Sequence, residues 1–331
     1  MQSFKALLID EVDGKVSSAF ATLDEARLDP GGVTIRVAYS SVNYKDALAA
    51  TGAGKIIRRF PCIGGIDLSG TVIESADPRF APGDPVIATS FDIGVAHHGG
   101  YSEIARVPGD WVVPLPAGLS LFDAMALGTA GFTAALAVVR MEENRLAPGN
   151  GPVIVTGATG GVGSLAVDIL ADRGYHVVAL TGKESEADYL RGLGAADVML
   201  RGSLDLAKIR PLDKARWAGA VDNLGGEVLA WIASTMAQGG TIASIGLAAS
   251  MSLNTTVAPF ILRGVSLLGI DSGYIREPYR SGVWQRLASD LRPPHLSGMS
   301  RRIGFAELPA AFNEYIAGRA KGRVVVEIGG E

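Results

Sequence analysis

A glycine-rich turn between two apolar runs is the clearest chemical feature of the sequence. Val153–Val155 is short, apolar and β-branched, as a buried parallel strand requires, and the stretch GATGGVG follows it from Gly157 to Gly163. Glycines at such a turn let phosphate groups approach the backbone N–H groups at the start of the next helix. The order strand, turn, helix, strand therefore predicts a dinucleotide site, although the glycines depart from strict G-x-G-x-x-G register and a turn without ligand is the alternative. The predicted phosphate contacts are Thr159, Gly160, Gly161 and Val162.

The residue that selects the cofactor follows the second strand of this unit. A site selective for NAD places Asp or Glu about 20 residues after the glycines, on the ribose hydroxyls. Here that position is Lys183, preceded by Thr181 and Gly182. A lysine attracts the 2′-phosphate of NADPH, Gly182 lets that phosphate approach the main chain, and Arg201 is a second expected phosphate contact. The sequence therefore favours NADPH over NADH, unless Lys183 is only a solvated surface residue or Glu184 turns inward.

Composition excludes several classes of protein. The chain has 331 residues, enough for two domains, and its 43 glycines show no period. The net charge of −4, with mixed signs, gives no electrostatic reason to expect nucleic acid. A single cysteine, Cys62, excludes an intramolecular disulfide and a multi-thiolate metal site. Because no run of about 18 uncharged apolar residues and no signal-peptide pattern occurs, we expect a cytoplasmic protein without membrane association.

The elements that must position these residues fall into three parts. The first 120 residues or so show dense turn signals between short strand-like runs, at Phe4–Ile9, Val33–Ser40, Gly70–Glu74, Pro85–Ala88 and Trp111–Pro114. An apolar, alanine-rich helix is predicted over Leu121–Arg140. The tail is predicted to form helices over Tyr279–Leu291 and Phe305–Ala317 and a strand over Arg323–Ile328.

Residues 150–270 alternate strand and helix, as a doubly wound parallel sheet requires. The predicted strands are Val153–Val155, His176–Leu180, Asp197–Leu200, Ala218–Asp222, Thr241–Ile245 and Val265–Ile270. The predicted helices are Val162–Leu170, Glu184–Leu193 and Glu227–Met236. The predicted fold is α/β, with a β-rich domain over residues 1–122 plus 271–331 and an inserted nucleotide-binding domain over 123–270.

Several segments resemble the medium-chain dehydrogenase/reductase superfamily over essentially the whole chain. Ser40–Asp46 resembles the N-x-x-D segment of its zinc-free quinone oxidoreductases. Gly65–Gly70 resembles the G-H-E-x-x-G of its zinc enzymes, with Ile66 in place of the ligand histidine. Phe80–Val86 and Ala126–Ala134 are similar to its G-D-x-V turn and to the helix that joins its domains. The resemblance implies a GroES-like catalytic domain with an inserted Rossmann domain.

Longer pieces resemble the acrylyl-CoA reductase branch of this superfamily, among them NYKDALAATGAGKIIRRFPCIGGIDLSGTV and TVAPFILRGVSLLGIDS. The resemblance implies NADPH-dependent reduction of a 2-enoyl thioester, with acrylyl-CoA going to propanoyl-CoA. No metal is expected, because Asn43-Tyr44 stand in place of a Cys-His dipeptide and Ile66 cannot ligate. The adjacent His97 and His98 are expected to be hydrogen-bonding loop residues.

Reduction of a conjugated double bond needs no metal. Hydride reaches the β-carbon, the negative charge spreads into an enolate, and a weak acid can protonate the α-carbon. Tyr44 is the candidate catalytic residue, as a hydrogen-bond donor or proton source near the nicotinamide, with a buried structural tyrosine as the alternative. Asn43 and Asp46 are expected to order the loop around Tyr44, and Asp67 to support a turn or the residues around Tyr44.

Other candidate contacts carry less chemical information. Lys55, Arg58 and Arg59 form a basic group expected to meet the phosphates of coenzyme A or to remain solvated. The resemblance places Leu247, Ile261 and Ser272 near the nicotinamide half of the cofactor. Arg319, in the tail, is expected to reach the cofactor or to be an exposed charge.

Two rival functions remain open. One is a NADPH-dependent reductase of quinones or free enones; the other is a NADPH-binding redox sensor or structural protein without turnover. The resemblance also implies a homodimer, since members of this superfamily often pair through their last Rossmann strands, and Val265–Ile270 is apolar enough to be an edge that needs covering.

Overall fold

The computed structural model describes residues 3–329, and their contacts divide the chain into two compact units. Unit 1 comprises the residues up to Thr129, Gly273–Ala288 and the residues from Leu296 onward, and unit 2 comprises Ala130–Ser272 and Ser289–His295. The strands are β1 Ser3–Val12, β2 Lys15–Asp24, β3 Val33–Val42, β4 Cys62–Ile63, β5 Asp67–Ser75, β6 Pro85–Thr89, β7 Ile104–Val107, β8 Val112–Pro114, β9 Val153–Thr156, β10 Val177–Thr181, β11 Asp197–Leu200, β12 Trp217–Asp222, β13 Met236–Ser244, β14 Ser266–Gly269, β15 Ser300–Gly304 and β16 Arg323–Glu327. The helices are α1 Tyr44–Thr51, α2 Leu121–Glu143, α3 Gly161–Asp172, α4 Ala187–Gly192, α5 Gly226–Thr235, α6 Ala258–Arg263, α7 Tyr279–Leu287, α8 Leu296–Met299 and α9 Leu308–Ile316.

Unit 1 is built on β-sheets. Its larger sheet has the order β15-β16-β3-β5-β6-β8, with β7 also pairing with β3, and its smaller sheet has the order β2-β1-β4. The central strand β3 is rich in β-branched residues and buried at all but one position. Its residues Val33, Ile35 and Val37 pack with Leu68 and Val72 of β5 in one core. The packed core therefore fixes the position of β3, and α1 begins two residues after this strand ends.

Unit 2 contains a parallel sheet in the order β11-β10-β9-β12-β13-β14. Apolar residues of the sheet, such as Ile154 and Leu180, pack with Trp231 and Ile232 of α5. Strand order reverses between β9 and β12, where open α/β sheets bind their ligands at the carboxyl ends of the strands. The predicted fold class, a β-rich domain with a doubly wound parallel sheet inserted, is confirmed.

The observed unit boundaries differ from the predicted 1–122, 123–270 and 271–331. The first change of unit lies at Thr129/Ala130, within α2, and the tail enters unit 1 at Gly273. Ser289–His295 returns to unit 2, which the sequence did not suggest. The reason lies in His295, whose backbone N–H and Nδ1 lie 2.9 and 2.7 Å from the buried carboxylate of Asp168 on α3.

Some predicted elements differ in extent or kind. The segment around Asn43 and Asp46 was expected to be a loop, whereas it starts helix α1. The predicted helix over 184–193 begins with a 3-10 turn, as does the predicted helix over 305–317. Strands β2, β4, β7 and β15 and helices α6 and α8 were not predicted from the sequence.

Among residues 3–329, helix α2 is long and apolar enough to cross a membrane, yet 83% of its apolar stretch is buried inside the protein. Such burial is typical of a core helix. The helix is kinked at Gly128, which has φ 52° and ψ −156°. The apolar composition of α2 therefore reflects its place in the protein core.

Candidate active site

A cavity at the carboxyl edge of the unit 2 sheet brings together Thr159, Thr181, Gly182, Lys183 and Arg201, whereas the predicted phosphate contacts Gly160, Gly161 and Val162 do not line it. It has a volume of about 260 Å³ and is lined by Gly157, Thr159, Leu180, Thr181, Gly182, Lys183, Arg201 and Leu224. Two cations and no carboxylate line it, so the cavity suits an anion. A Cβ on Gly182 would lie 3.7 Å from the Arg201 guanidinium, which places that guanidinium beside the main chain of Gly182. The hydroxyl of Thr181 accepts a 3.0 Å hydrogen bond from the backbone N–H of Lys183 and so orders this turn.

The glycine turn allows close approach at two positions. Gly157 has φ 58°, in the left-handed region that favours glycine. A Cβ on Gly163 would stand 2.3 Å from the carbonyl oxygen of Gly157, so no side chain fits there. Helix α3 starts directly after the N-cap Gly160, and Gly161 and Val162 form its first turn. Their N–H groups point to the end of the helix where phosphate binds in dinucleotide folds.

The switch point of the sheet is held by polar contacts that the sequence analysis did not identify. Thr156, at the end of β9, donates its hydroxyl to Asp222 at 2.8 Å. Asn223 donates its backbone N–H to the Thr156 hydroxyl at 2.9 Å and its amide to the Thr156 carbonyl at 2.7 Å. Burial raises the pKa of Asp222. These bonds fix the ends of β9 and β12 beside the cavity.

Four predicted cofactor contacts away from the glycine turn and Lys183, namely Leu247, Ile261, Ser272 and Arg319, do not line this cavity. Leu247 and Ile261 are exposed apolar residues of unit 2, with 60% and 72% of their surface accessible. Ser272 accepts a hydrogen bond from the Thr133 hydroxyl at 2.7 Å. Arg319 is an exposed residue of unit 1 that follows α9. The structure therefore groups Thr159, Thr181, Gly182, Lys183 and Arg201 but not these four.

In unit 1 the buried carboxylate of Asp67 is the centre of a polar cluster. It accepts hydrogen bonds from the Ser41 hydroxyl at 2.6 Å and from the Asn43 amide at 2.8 Å. It also accepts the backbone N–H of Thr129 at 3.0 Å and the Thr129 hydroxyl at 2.5 Å. Asp67 was expected to support a turn or the residues around Tyr44, and its contacts join the end of β3, the start of α1 and the kink of α2.

Tyr44 is the first residue of α1 and directly follows Asn43 of this cluster in the sequence. Asn43 is the N-cap of the helix, and the buried carboxylate of Asp46 accepts its backbone N–H at 2.9 Å in a capping box. Asp46 also accepts the amide of Asn43 at 3.1 Å and the backbone N–H of Ile66 at 3.0 Å. Burial, and then the nearby charge of Asp67, raise the pKa of Asp46 to about 7. The Tyr44 side chain itself is 52% exposed, which rules against a buried structural tyrosine.

Arg323 on β16 supplies the cation of the cluster. Its guanidinium is buried and donates to the Ser41 hydroxyl at 3.1 Å, the Asn43 amide oxygen at 3.3 Å and the Ala126 carbonyl at 2.8 Å. A Cβ on Gly128 would stand 2.6 Å from Asp67 Oδ2 and 2.8 Å from Arg323 Nη2. Glycine is required at the kink both for its φ and for this space.

The turn after β6 carries backbone strain beside the cluster. Ser90 and Phe91 are consecutive non-glycine residues with φ 67° and 49°. Such conformations cost on the order of 1–3 kcal/mol each and occur often at functional sites. The Ser90 hydroxyl lies 2.9 Å from that of Thr129, so the strained turn contacts the group bound to Asp67.

The three basic residues predicted to bind substrate differ in their surroundings. Lys55 is exposed and forms no hydrogen bond with residues 3–329. Arg58 forms an ion pair with Asp92 and donates to the Tyr274 hydroxyl at 3.1 Å. Arg59 forms an ion pair with Asp29. The basic group expected from the sequence is therefore partly neutralised by ion pairs.

Comparison with known proteins agrees with this two-part geometry. Residues 29–117 match the family "Alcohol dehydrogenase GroES-like domain", and residues 161–289 match the family "Zinc-binding dehydrogenase". The chain is 50% identical to a Bacillus subtilis putative quinone oxidoreductase, YhfP, over 98% of this chain and 99% of that protein. A crystal structure of YhfP with NAD bound superposes with a TM-score of 0.96 over 99% of this chain and all of that chain.

Two further relatives are an acrylyl-CoA reductase and an oxidoreductase solved with NADP. The chain is 47% identical to acrylyl-CoA reductase of Ruegeria pomeroyi, over 98% of this chain and 99% of that protein. It is also 47% identical to the yhdH oxidoreductase of Salmonella enterica, solved in complex with NADP, with a TM-score of 0.95 over 98% of this chain and 99% of that chain.

The zinc implied by one family description does not fit the side chains of unit 1. Within residues 3–329, no three His, Cys, Asp or Glu side chains are grouped to hold a metal ion. The Asn43 amide nitrogen and the Thr129 hydroxyl both donate to Asp67, and the neighbouring Ile66 is apolar and buried. Zinc needs ligands of the Cys, His or carboxylate type with an open position.

On its similarity in sequence and structure to the Bacillus subtilis, Ruegeria pomeroyi and Salmonella enterica proteins, the chain belongs to the medium-chain dehydrogenase/reductase superfamily of oxidoreductases.

Proposed function

We propose that this protein catalyses NADPH-dependent, metal-independent reduction of the conjugated C=C bond of a short 2-enoyl-CoA, in particular acrylyl-CoA to propanoyl-CoA. The observation that carries the cofactor half is the cavity where Lys183 and Arg201 face the glycine turn. The thioester half rests on full-length similarity to the acrylyl-CoA reductase of Ruegeria pomeroyi.

The residues of the unit 2 cavity fit NADPH. The first turn of α3 would hold the pyrophosphate, and Lys183 and Arg201 would hold the 2′-phosphate through charge-assisted hydrogen bonds. The cavity offers no carboxylate to a ribose 2′-hydroxyl, which is the group that NAD-selective sites use. The Salmonella enterica structure with NADP supports this choice, whereas the Bacillus subtilis structure with NAD makes NADH the comparison to test.

The protein's own groups handle the proton and the developing charge. Bound NADPH supplies a hydride to the β-carbon of the enoyl group. The electron pair of the C=C bond then moves into the thioester as an enolate, and a proton must reach the α-carbon. The Tyr44 hydroxyl is the proposed donor because it is exposed at the start of α1, while Asn43 and Asp46 fix the helix that carries it.

A second candidate is the reduction of quinones or free enones with the same cofactor. The 50% identity with a putative quinone oxidoreductase of Bacillus subtilis favours it. Such substrates accept hydride without a thioester, so they need the unit 2 cavity but no group that recognises coenzyme A.

The test is NADPH consumption with acrylyl-CoA, crotonyl-CoA and 1,4-benzoquinone measured side by side. We expect the highest kcat/KM with acrylyl-CoA. A higher kcat/KM with benzoquinone would favour the second candidate. NADPH binding without turnover on any of them would favour a redox sensor or structural protein.

We further propose a cytoplasmic homodimer. Strand β14 is an edge of the parallel sheet, and its Leu267 is exposed. Nearby in the chain, Val257, Ile261 and Leu262 are exposed apolar residues with more than half of their surface accessible. Uncovered edges and apolar patches of this kind favour association. Light scattering at micromolar concentration is expected to give twice the chain mass, and the mass of a single chain would contradict the proposal.

A further inference from the structure

An exposed arginine and an exposed tyrosine meet at one carboxylate on the surface of unit 1. Arg58 Nη2 donates to the Tyr274 hydroxyl at 3.1 Å, and that hydroxyl donates to Asp92 Oδ1 at 2.9 Å. Arg58 also forms an ion pair with Asp92. Only Nη2 of its guanidinium is used, because Nε and Nη1 donate to no other group within residues 3–329. Asp92 thus orients a guanidinium that keeps donors for a ligand.

Buried contacts fix both sides of this pair. Phe91, which precedes Asp92, stacks on Trp111 with ring centroids 5.4 Å apart and meets the ring of Tyr274 edge-on at 6.2 Å. The buried Arg280 lies over the Phe91 ring, 4.5 Å from its centroid. It also donates to the Gly273 and Ile275 carbonyls on either side of Tyr274, at 3.3 and 2.9 Å. The exposed ring of Tyr274 therefore has a fixed position.

The strained turn links this surface to the polar cluster of Asp67. Ser90 contacts Thr129 through its hydroxyl, and Phe91 donates its backbone N–H to the Gly273 carbonyl at 3.0 Å. Because Ser90 and Phe91 are adjacent, one turn contacts both the group bound to Asp67 and the segment that carries Tyr274. A ligand seated on Tyr274 lies on the same unit as Tyr44.

Arg59 differs from Arg58 although the two are neighbours in the chain. Its partner Asp29 is largely buried and also accepts the backbone N–H of His98 at 2.7 Å. The side chain of Asp92 is more exposed, at 35% against 11% for Asp29. Both arginine side chains are exposed, 54% for Arg58 and 45% for Arg59, so the two sites differ in the burial of the carboxylate and in the exposed Tyr274 beside Arg58.

We propose that Arg58 and Tyr274 bind the 3′-phospho-ADP part of a coenzyme A thioester. An exposed aromatic ring stacks on a purine, and a guanidinium with unused N–H groups binds phosphate through charge-assisted hydrogen bonds. The inference rests on the proposed reduction of an enoyl-CoA and adds the residues that distinguish it from reduction of a quinone, which has neither adenine nor phosphate.

Binding of nucleotide fragments tests the site without turnover. Calorimetry is done on the protein saturated with NADP⁺, with 3′,5′-ADP as the probe. We expect 3′,5′-ADP to bind, with affinity about tenfold weaker in Arg58→Gln and in Tyr274→Leu, as expected for one lost charged contact or stack. Equal affinity of 3′,5′-ADP for both variants and the wild type would overturn the proposal, as would no binding at all.

Kinetics separate this proposal from the proposed function. The ratio of kcat/KM for acrylyl-CoA to that for the acrylyl thioester of pantetheine is expected to fall about tenfold in Arg58→Gln, through KM. Arg79→Gln is the matched control, because Arg79 is an exposed, ion-paired arginine of unit 1 outside this surface, and its ratio is expected to match the wild type. If the wild type reduces both thioesters and Arg58→Gln leaves the ratio intact, the nucleotide site is wrong and the reductase stands. If the wild type reduces neither thioester, both proposals fall.

Discussion

Asp46 lies buried beside Asp67, and the two carboxyl groups share the side-chain amide of Asn43, at 3.1 and 2.8 Å. Two carboxyl groups and the Arg323 guanidinium therefore lie in one buried cluster. Burial, and to a lesser extent the charge of Asp67, raise the pKa of Asp46 to about 7. The cluster that orders the Tyr44 helix is thus sensitive to pH near neutrality.

Stability is expected to fall as pH rises from about 4 to about 7. In this window the folded protein holds a proton on Asp46, whereas the unfolded chain, in which aspartate has its ordinary pKa of 3.8, has released it. Each unit of raised pKa corresponds to about 1.4 kcal/mol lost on passing through the window. Asp46→Asn cannot titrate, so its free energy of unfolding should depend less on pH. Urea unfolding of both proteins from pH 4 to 8 measures this, and parallel curves would show that Asp46 has an ordinary pKa.

Lys183→Glu is expected to raise the KM for NADPH by one to two orders of magnitude. A charged phosphate contact is worth about 1.5–3 kcal/mol, and the new carboxylate repels the 2′-phosphate. Steady-state kinetics with NADPH and NADH measure the ratio of kcat/KM. Lys208→Glu makes the same charge change at an exposed lysine outside the cavity and should leave the ratio as in the wild type. An unaltered ratio in Lys183→Glu would remove Lys183 from the cofactor site.

Tyr44→Phe is expected to lower kcat with acrylyl-CoA by about 10²–10⁴, the usual contribution of general acid catalysis. The ring remains, and no hydrogen bond of the Tyr44 hydroxyl to residues 3–329 is lost, so the melting temperature should stay near that of the wild type. Single-turnover formation of propanoyl-CoA, followed by rapid quench and chromatography, measures the effect on chemistry. The same kcat in both proteins would eliminate this hydroxyl as the proton donor.

Gly128→Ala is expected to destabilise the protein by about 1–3 kcal/mol, because alanine is strained at φ 52° and its Cβ would stand 2.6 Å from Asp67 Oδ2. Gly282→Ala is the matched control. Gly282 lies in α7 at a position where a Cβ meets nothing within 4 Å, so that variant should equal or exceed the wild type in stability. Chemical unfolding of both variants gives the comparison. Equal stability of the two would mean that the kink tolerates a side chain.

The sequence predicts the parts of the site that lie close together along the chain. Gly157, Gly163 and Lys183 belong to one strand–helix–strand unit, whose apolar period and turn residues specify it locally. Helix α1 also has a local signal that the sequence analysis did not use, since Asn43 and Asp46 have the spacing of a capping box. The polar cluster has no such signal, because Arg323 meets Ser41 across 282 positions and Thr129 meets Asp67 across 62. Only packing of the sheet against α2 brings these residues together.

Other predicted contacts depend on neighbours from distant parts of the chain. Leu247 follows β13 and Ile261 lies in α6, both side chains are exposed, and their place at the nicotinamide half stays a prediction. Arg58 and Arg59 form a basic pair in the sequence, and only the structure reveals that Asp92 and Asp29 face them. The charge of a short sequence segment does not include the ion-pair partners that distant segments contribute.

The central claim is hydride transfer from NADPH to the β-carbon of acrylyl-CoA. Its most direct test is mass spectrometry of the product after turnover with NADPH deuterated at the transferred position of the nicotinamide. We predict propanoyl-CoA with one deuterium, located at C3, in amounts equal to the NADPH oxidised. Oxidation of NADPH without deuterated propanoyl-CoA, or deuterium at C2, would contradict the account.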